Sequence, residues 1–297
     1  WCKIYRTDSA LFSNNGLETG SLMPIDHVLK LYSETIQSPY LHYGFWDHPE
    51  SVDLDKVTLQ EIKDAQNRYI EHLASFIPED VKSILDVGCG IGGNADYLQK
   101  MGYLVEALSP DEFQKSVIAE KFNEAMTFHH CKFEKFNPLN EYDLILESES
   151  ACYIKIDHGF EKARETLKSD GYLLVSDYFV YFRDGTKNLH LKSSHDKEKY
   201  LNSARAHGFE LIREFDQTEN TMPTLDYGKY FIGRFINPAM EYGIYSSKKN
   251  YPKTAAIIEK MIAPKIESKL NQLELIDSDQ FRKYRQYMIY LFQKKDV

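Results

Sequence analysis

The amino-acid sequence predicts an α/β fold, a doubly wound and mostly parallel sheet of seven strands with helices on both faces. Two observations predict it. Between residues 57 and 216, short apolar runs of strand length alternate with segments whose apolar residues recur at helical spacing. One of these runs, Ser83–Val87, is directly followed by a glycine-rich segment, which is typical of a buried parallel strand at a ligand site. The length of 297 residues and the 42% hydrophobic content suffice for one large domain with an accessory region.

The elements follow in chain order. We predict strands at residues 83–87, 104–108, 126–129, 142–146, 171–179, 210–215 and 287–292. We predict helices at residues 59–73, 160–167, 196–206, 227–240 and 254–270, and one after the glycines through Tyr97 and Leu98. A further helix is predicted to begin with Ser109 as its N-cap and Pro110 at its first position.

This pattern divides the chain into four parts. Residues 1–56 are irregular and form an N-terminal lid or extension, and residues 57–216 form the cofactor-binding core. Residues 217–275 form a helical insertion, and residues 276–297 add the final strand of the core. An insertion between the last two strands of such a sheet lies over one end of it, which favours a substrate cap.

Composition excludes several classes of function. With 36 basic and 45 acidic residues the net charge is −9, which argues against nucleic acid as a partner. No run approaches the roughly 20 apolar residues of a membrane span. The 4 cysteines form no CxxC pair, which favours a reducing cytoplasm over a disulfide framework or a zinc site. The start at Trp1, without an initiator Met or an apolar signal core, favours a processed N-terminus. Composition leaves a homo-oligomer open.

The strongest signal is the run Asp86–Gly93, Asp-Val-Gly-Cys-Gly-Ile-Gly-Gly, between a strand and a helix. It satisfies the dinucleotide fingerprint G-x-G-x-x-G, and Glu106 lies about 20 residues on, where that fingerprint has its ribose-binding acid. Against this, Asp86 puts a carboxylate at the strand tip, which suits a cofactor carrying an ammonium group and repels a pyrophosphate. A glycine-rich turn without any ligand is the third interpretation.

The run Asp86–Gly93 resembles motif I of the class I S-adenosylmethionine-dependent methyltransferases, and the similarity extends from about Leu31 to Phe292. It is closest to the small-molecule branch, which includes tocopherol, sterol and cyclopropane-lipid methyltransferases and the prenyl-diphosphate C-methyltransferases. Four other runs carry the same resemblance: His42–Trp46, Leu108–Gln114, Asp143–Ser150 and Asp216–Pro223.

The resemblance implies S-adenosyl-L-methionine as cofactor, with S-adenosyl-L-homocysteine as product, and a lid made by His42–Trp46. The cofactor-binding residues it implies are Tyr32, Asp86, Gly88, Gly90, Gly92, Ser109, Gln114, Phe133 and Glu147. No acid cluster is evident, so no metal is expected.

Three residues are candidates for catalysis. Glu149 follows the fourth strand at the end of the sheet where ligands bind, although most Glu side chains are solvated. His42 and its neighbour Tyr43 lie in the lid run. A His has an unperturbed pKa of about 6.5, suited to a base, but a His among aromatics is more often structural.

The function predicted is methyl transfer to a small, largely hydrophobic acceptor. The resemblance favours an isoprenoid acceptor, such as a prenyl diphosphate of secondary metabolism, methylated at carbon. Transfer to oxygen or nitrogen of a small aromatic or amine is the alternative. A nicotinamide-dependent oxidoreductase and a non-catalytic protein retaining the fold are the hypotheses from other classes.

Overall fold

The computed structural model describes residues 33–181, 194–252 and 277–295. Its strands are β1 Ser83–Val87, β2 Leu104–Leu108, β3 Thr127–His129, β4 Tyr142–Ser148, β5 Leu167–Val180, β6 His195–Asp196, β7 Phe209–Asp216 and β8 Arg285–Lys294. Its helices are α1 Leu59–Ala74, α2 Gly93–Lys100, α3 Glu112–Phe122, α4 Ile156–Thr166, α5 Lys197–Ala206, α6 Thr218–Phe231, α7 Asn237–Asn250 and α8 Ser278–Tyr284. A π-helical stretch, Ile232–Ile236, joins α6 to α7.

The strands form one sheet in the order β3-β2-β1-β4-β5-β8-β7, with the two-residue β6 paired to β5. Strand β8 is antiparallel to both β5 and β7, and the other pairs are parallel. The predicted doubly wound, mostly parallel sheet of seven strands is therefore confirmed, and β6 is a short addition to it.

Helices cover both faces of the sheet. Neighbouring residues of a strand point to opposite faces, so each strand contributes apolar side chains to both layers. Ile84 and Leu144 pack on the face covered by α1, α2 and α3, whereas Leu85 and Ile145 pack on the face covered by α4 and α5. We call these the α1 face and the α4 face. Helix α1 begins at a capping box between Thr58 and Glu61, and its apolar stripe is buried against the α1 face of the sheet.

Some predicted boundaries are wrong. Helix α3 begins at Glu112 rather than Pro110, because the Asp111 side chain, not Ser109, accepts the backbone N–H of Gln114 at 2.8 Å. Helix α4 begins four residues before the predicted position 160, and α6 begins at Thr218 rather than near position 227. The Asp216 side chain accepts the Thr218 N–H at 3.0 Å, so the chain turns into a helix directly after β7. The predicted helix 254–270 lies outside the described residues.

Within the three described ranges, the helices are all too short or too polar to cross a lipid bilayer.

Candidate functional site

Asp86 is the fourth residue of β1 and is 1% exposed. Neither oxygen of its carboxylate has a hydrogen-bond partner among the described residues. Burial raises the pKa of Asp86 to about 7. A buried carboxylate without a partner is costly, and a cationic ligand group would remove that cost.

The glycine run bends the chain away from β1 and into α2. Gly88 has a φ of 73°, in the left-handed region, and a Cβ at this position would overlap the Ser150 side chain. Ser150 is held in that place because its Oγ donates to the Val87 carbonyl at 2.5 Å. Gly90 and Gly92 also have positive φ values, of 57° and 83°, so all three predicted loop glycines adopt conformations that favour glycine.

Ser109 and Gln114 lie on the other side of this loop, after β2. Ser109 is buried, and its Oγ accepts the Asp111 N–H at 3.2 Å. The buried Gln114 carboxamide oxygen has no hydrogen-bond partner in the described part of the chain. With Asp86, this is a second buried polar group that a ligand could satisfy.

Within the predicted N-terminal lid, residues 38–46 form an irregular segment that includes His42–Trp46 and lies directly on the glycine run, and from here on the lid means this segment. A Cβ at Gly93 would overlap the Pro39 carbonyl, and Leu41 is the nearest side chain to Gly90. The lid is attached to α6, where Thr224 Oγ1 accepts both the Gly44 N–H at 3.0 Å and the Trp46 indole N–H at 2.9 Å.

His42 is buried in the lid and stacks on the Tyr69 ring, with 4.0 Å between ring centroids. Its Nδ1 is 2.7 Å from the Tyr43 carbonyl, and its Nε2 is 3.0 Å from the Asn94 carboxamide. The carbonyl is only an acceptor, so Nδ1 carries the proton and donates to it, and in the neutral ring Nε2 accepts from the Asn94 amide turned so that its Nδ2 takes the place of Oδ1. Burial lowers the pKa of His42 to about 4. This geometry fits a neutral side chain that fixes the lid on α2 better than it fits the predicted base.

Glu149 lies one residue beyond β4 in a left-handed conformation, with a φ of 53°. Its Oε1 accepts the Tyr43 backbone N–H at 2.8 Å and the Tyr287 hydroxyl at 2.6 Å. Two of the three predicted catalytic residues, Glu149 and Tyr43, are therefore in direct contact. The ring of Tyr43 also meets that of Tyr287 edge to face, at 5.9 Å between centroids.

Sequence reasoning missed Tyr69 and Tyr287, which join Glu149 to the core. The Tyr69 hydroxyl is 3.0 Å from that of Tyr287 and 2.7 Å from Ser176 Oγ. Burial is the first cause that raises the pKa of both phenols above the usual range, and the Glu149 charge adds to it. The count of 21 tyrosines signalled that some serve a polar site, but not which ones.

Glu147 and Phe133 both lie on the α4 face, with Phe133 next to the ends of β1 and β2. Glu147 is buried on the α4 face, lining a small cavity with Lys155 and Tyr200, whereas Asp86 is on the α1 face. Burial, aided by the charge of Glu134, raises the pKa of Glu147 to about 8. Phe133 packs in the same hydrophobic cluster as Val87 and Leu108 on the α4 face. The structure does not bring the Glu147 side chain, a predicted cofactor ligand, together with Asp86.

Glu106, the acid of the dinucleotide interpretation, is the third residue of the five in β2 and not at its end. Its carboxylate is 2.6 Å from His129 Nε2 and 2.7 Å from the Tyr142 hydroxyl. Because these bonds hold Glu106 between strands, the structure does not support it as a ribose ligand. Tyr32 lies outside the described residues. In the ranges that are described, no three His, Cys, Asp or Glu side chains converge to hold a metal ion.

Known proteins resemble this chain in sequence and in fold. The family model described as "Methyltransferase domain" matches residues 61–219. Tocopherol O-methyltransferase, chloroplastic, from Arabidopsis thaliana is 22% identical over 233 residues, which is 66% of each chain. The chain spans 66% or less of the length of the curated relatives it matches.

Among solved structures, geranyl diphosphate C-methyltransferase from Streptomyces coelicolor A3(2) superimposes with a TM-score of 0.64 at 15% identity, over 93% of this chain and 94% of that chain. The cyclase SpnF gives a TM-score of 0.64 at 17% identity, over 93% of this chain and 98% of that chain. These likenesses show the fold, and the second shows that the fold alone does not determine the reaction. The matched family covers more than half of the chain, and the chain therefore belongs to the methyltransferase-domain family, with the fold of the class I S-adenosylmethionine-dependent methyltransferases.

Proposed function

We propose that this chain transfers a methyl group from S-adenosylmethionine to a small, largely apolar acceptor. The observation that carries the proposal is the buried Asp86 carboxylate without a hydrogen-bond partner, beside a glycine loop at a helix N-terminus. The ammonium group of the cofactor would supply the missing partner, and a dinucleotide pyrophosphate would add repulsion instead. When bound, S-adenosylmethionine supplies an electrophilic methyl group.

The chain itself has three tasks. Asp86 binds the ammonium group, and the backbone at Gly88 and Gly90 approaches the ligand closely. The lid excludes water and holds the acceptor within the reach of about 3–3.5 Å that displacement requires. The Glu149 carboxylate then takes the proton that the acceptor loses. His42 contributes by fixing the lid.

We further propose that the acceptor is an isoprenoid methylated at carbon. A new C–C bond to an alkene leaves a cation on the neighbouring carbon, and the ring face of Tyr43, in the lid beside Glu149, would stabilise it. Glu149 would end the reaction by removing a proton from that cation. The solved geranyl diphosphate C-methyltransferase has the same fold, so this fold can accommodate an isoprenoid acceptor.

The alternative acceptor is a phenol or an amine, and the tocopherol O-methyltransferase relative supports the phenol. Glu149 would then deprotonate the attacking group. We propose the same division into a lid, a core and a helical cap at 217–275 for either acceptor. The net charge of −9 supports a small-molecule partner over nucleic acid, and the free thiols Cys89, Cys131 and Cys152 support a cytoplasmic location.

The test has two stages. Calorimetric titration with S-adenosylhomocysteine and with NADH should show micromolar binding of the first alone. Methyl transfer from labelled S-adenosylmethionine is then measured on prenyl diphosphates, phenols and small amines. Glu149→Gln should keep the cofactor affinity and lose most of the turnover. Binding of NADH in place of S-adenosylhomocysteine would overturn the proposal.

A further inference from the structure

A chain of buried hydroxyl groups ends on Glu149. It begins at Gln217, directly before α6, whose Nε2 donates to Ser176 Oγ at 2.8 Å. Ser176 Oγ is 2.7 Å from the Tyr69 hydroxyl, which is 3.0 Å from the Tyr287 hydroxyl. Tyr287 donates to Glu149 Oε1 at 2.6 Å. The members lie on α1, β5 and β8 and at the start of α6, so four separate elements contribute to the position of one carboxylate.

Counting protons gives the direction of every bond. A phenol has one proton, and that of Tyr287 is used on Glu149, so Tyr287 must accept from Tyr69. The Tyr69 proton is then used, so Tyr69 accepts from Ser176 and also from Ser148, whose Oγ is 3.2 Å away. Ser176 Oγ in turn accepts a side-chain N–H of Gln217. All donors therefore point toward Glu149, and aligned donors polarise one another in a low-dielectric interior.

The end of the chain is also fixed by the backbone of Tyr287. Its N–H donates to Thr218 Oγ1 at 2.9 Å, and its carbonyl accepts the Gln217 N–H at 2.9 Å. The phenol can therefore not shift along β8 without breaking the start of α6. At the other end, the Glu149 oxygen that accepts from Tyr287 also accepts from the Tyr43 N–H of the lid.

We propose that Tyr287 is the positioning residue for Glu149, and that the directed chain behind it, ending in Tyr69 and Tyr287, holds this carboxylate against the lid in the orientation used for proton removal. The inference rests on the proposed function for the role of Glu149 in turnover. It assigns to Tyr287 no contact with the acceptor proton.

The experiment compares Tyr287→Phe with Tyr290→Phe. Both variants lose one buried phenolic hydroxyl from β8, but that of Tyr290 has no hydrogen-bond partner among the described residues. Tyr287→Phe should lower kcat about 10- to 100-fold, the effect of one hydrogen bond to a charged group. The acceptor KM and the affinity for S-adenosylhomocysteine should change less than about twofold. Tyr290→Phe should match the wild type.

Two further measurements separate positioning from general damage. In a Glu149→Gln background, Tyr287→Phe should lower kcat further by less than about twofold, because the carboxylate that Tyr287 positions is already gone. Amide hydrogen exchange at Tyr43 should become faster in Tyr287→Phe and stay unchanged in Tyr290→Phe, since the Tyr43 N–H shares the same Glu149 oxygen.

The outcomes distinguish the two proposals. If the wild type transfers no methyl group to any acceptor, the proposed function fails, while the Tyr43 exchange still decides the positioning. If Glu149→Gln loses turnover and Tyr287→Phe does not, only the positioning role is wrong. The positioning role would also be overturned if the Tyr43 amide exchanged equally fast in Tyr287→Phe and the wild type. The same holds if the double variant lost kcat by the product of the two single losses.

Discussion

Asp86 and Glu147 are one register step apart on neighbouring parallel strands, yet their carboxylates lie on opposite faces of the sheet. Val87 is the residue paired with Glu147, and Leu146 is the one paired with Asp86. Burial raises the pKa of both acids, to about 7 for Asp86 and to about 8 for Glu147. Only Asp86 shares its face with the lid, so the two acids form a natural pair of test and control.

Cofactor affinity should depend on pH through Asp86. In the ligand-free protein a proton competes with the ammonium group for this carboxylate below about pH 7. The Kd for S-adenosylhomocysteine should therefore rise by up to about tenfold for each pH unit between 7 and 5. At alkaline pH the ligand loses its own ammonium proton, so affinity should fall again. Titration calorimetry at several pH values measures this profile.

The variants identify the group responsible. Glu147→Gln should keep the pH profile of the wild type, because its carboxylate is on the other face. Asp86→Asn should bind weakly at every pH and lose the acid dependence. A normal acid dependence in Asp86→Asn would show that another group binds the ammonium.

Removing the Asp86 charge should stabilise the ligand-free protein. Its folded-state pKa, about 7, is above the ordinary aspartate value of 3.8, so between these pH values the folded state binds more protons than the unfolded state. Stability contributed by this group therefore falls as pH rises from about 4 to 7. At pH 8 the unpaired charge costs at most roughly 4 kcal/mol. Asp86→Asn should raise Tm at pH 8 by several degrees and change it little at pH 4, as measured by calorimetry without ligand.

Local patterns account for the parts of the molecule that the sequence predicted well. Strands β1 and β2 have the predicted bounds, because each is a short, mostly apolar run with one acidic residue, ending at a glycine or at Ser109. The position of Asp86 near the end of β1 was predicted correctly for the same reason, since it depends only on the bounds of that strand. The start of α3 was wrong because Ser109 and Asp111 are both good N-caps, and only the three-dimensional path of the chain selects between them.

The contacts of Glu149 could not be predicted. Its partners Tyr43 and Tyr287 are 106 and 138 residues away in sequence, and no local pattern links positions so far apart. The opposite directions of Asp86 and Glu147 could have been found, because they follow from the alternation of side chains once the strand register is known.

Gly88→Ala should abolish cofactor binding. A methyl group would overlap the Ser150 side chain, and the φ of 73° is unfavourable for alanine by about 1–2 kcal/mol. Adding Ser150→Gly removes the overlap but not the backbone cost, so the double variant should regain part of its stability. Gly102→Ala is the matched control, because Gly102 also has a positive φ and no atom lies near its missing Cβ. Urea unfolding and titration with S-adenosylhomocysteine give both effects, and equal losses for the two alanine variants would refute the role of the overlap.

Thr224→Val should speed the release of cofactor. The Thr224 hydroxyl accepts the Gly44 N–H and the Trp46 indole N–H, and valine keeps the shape of the side chain while leaving both donors without a partner. The lid should then open more often, so koff for S-adenosylhomocysteine in stopped-flow displacement should rise about tenfold or more. Thr221→Val is the control on the same helix, since among the described residues the Thr221 hydroxyl bonds only to the Gln217 and Thr218 carbonyls one turn before it. A similar koff in both variants would mean that α6 does not hold the lid through Thr224, and that the remaining bonds of the lid are sufficient to keep it closed.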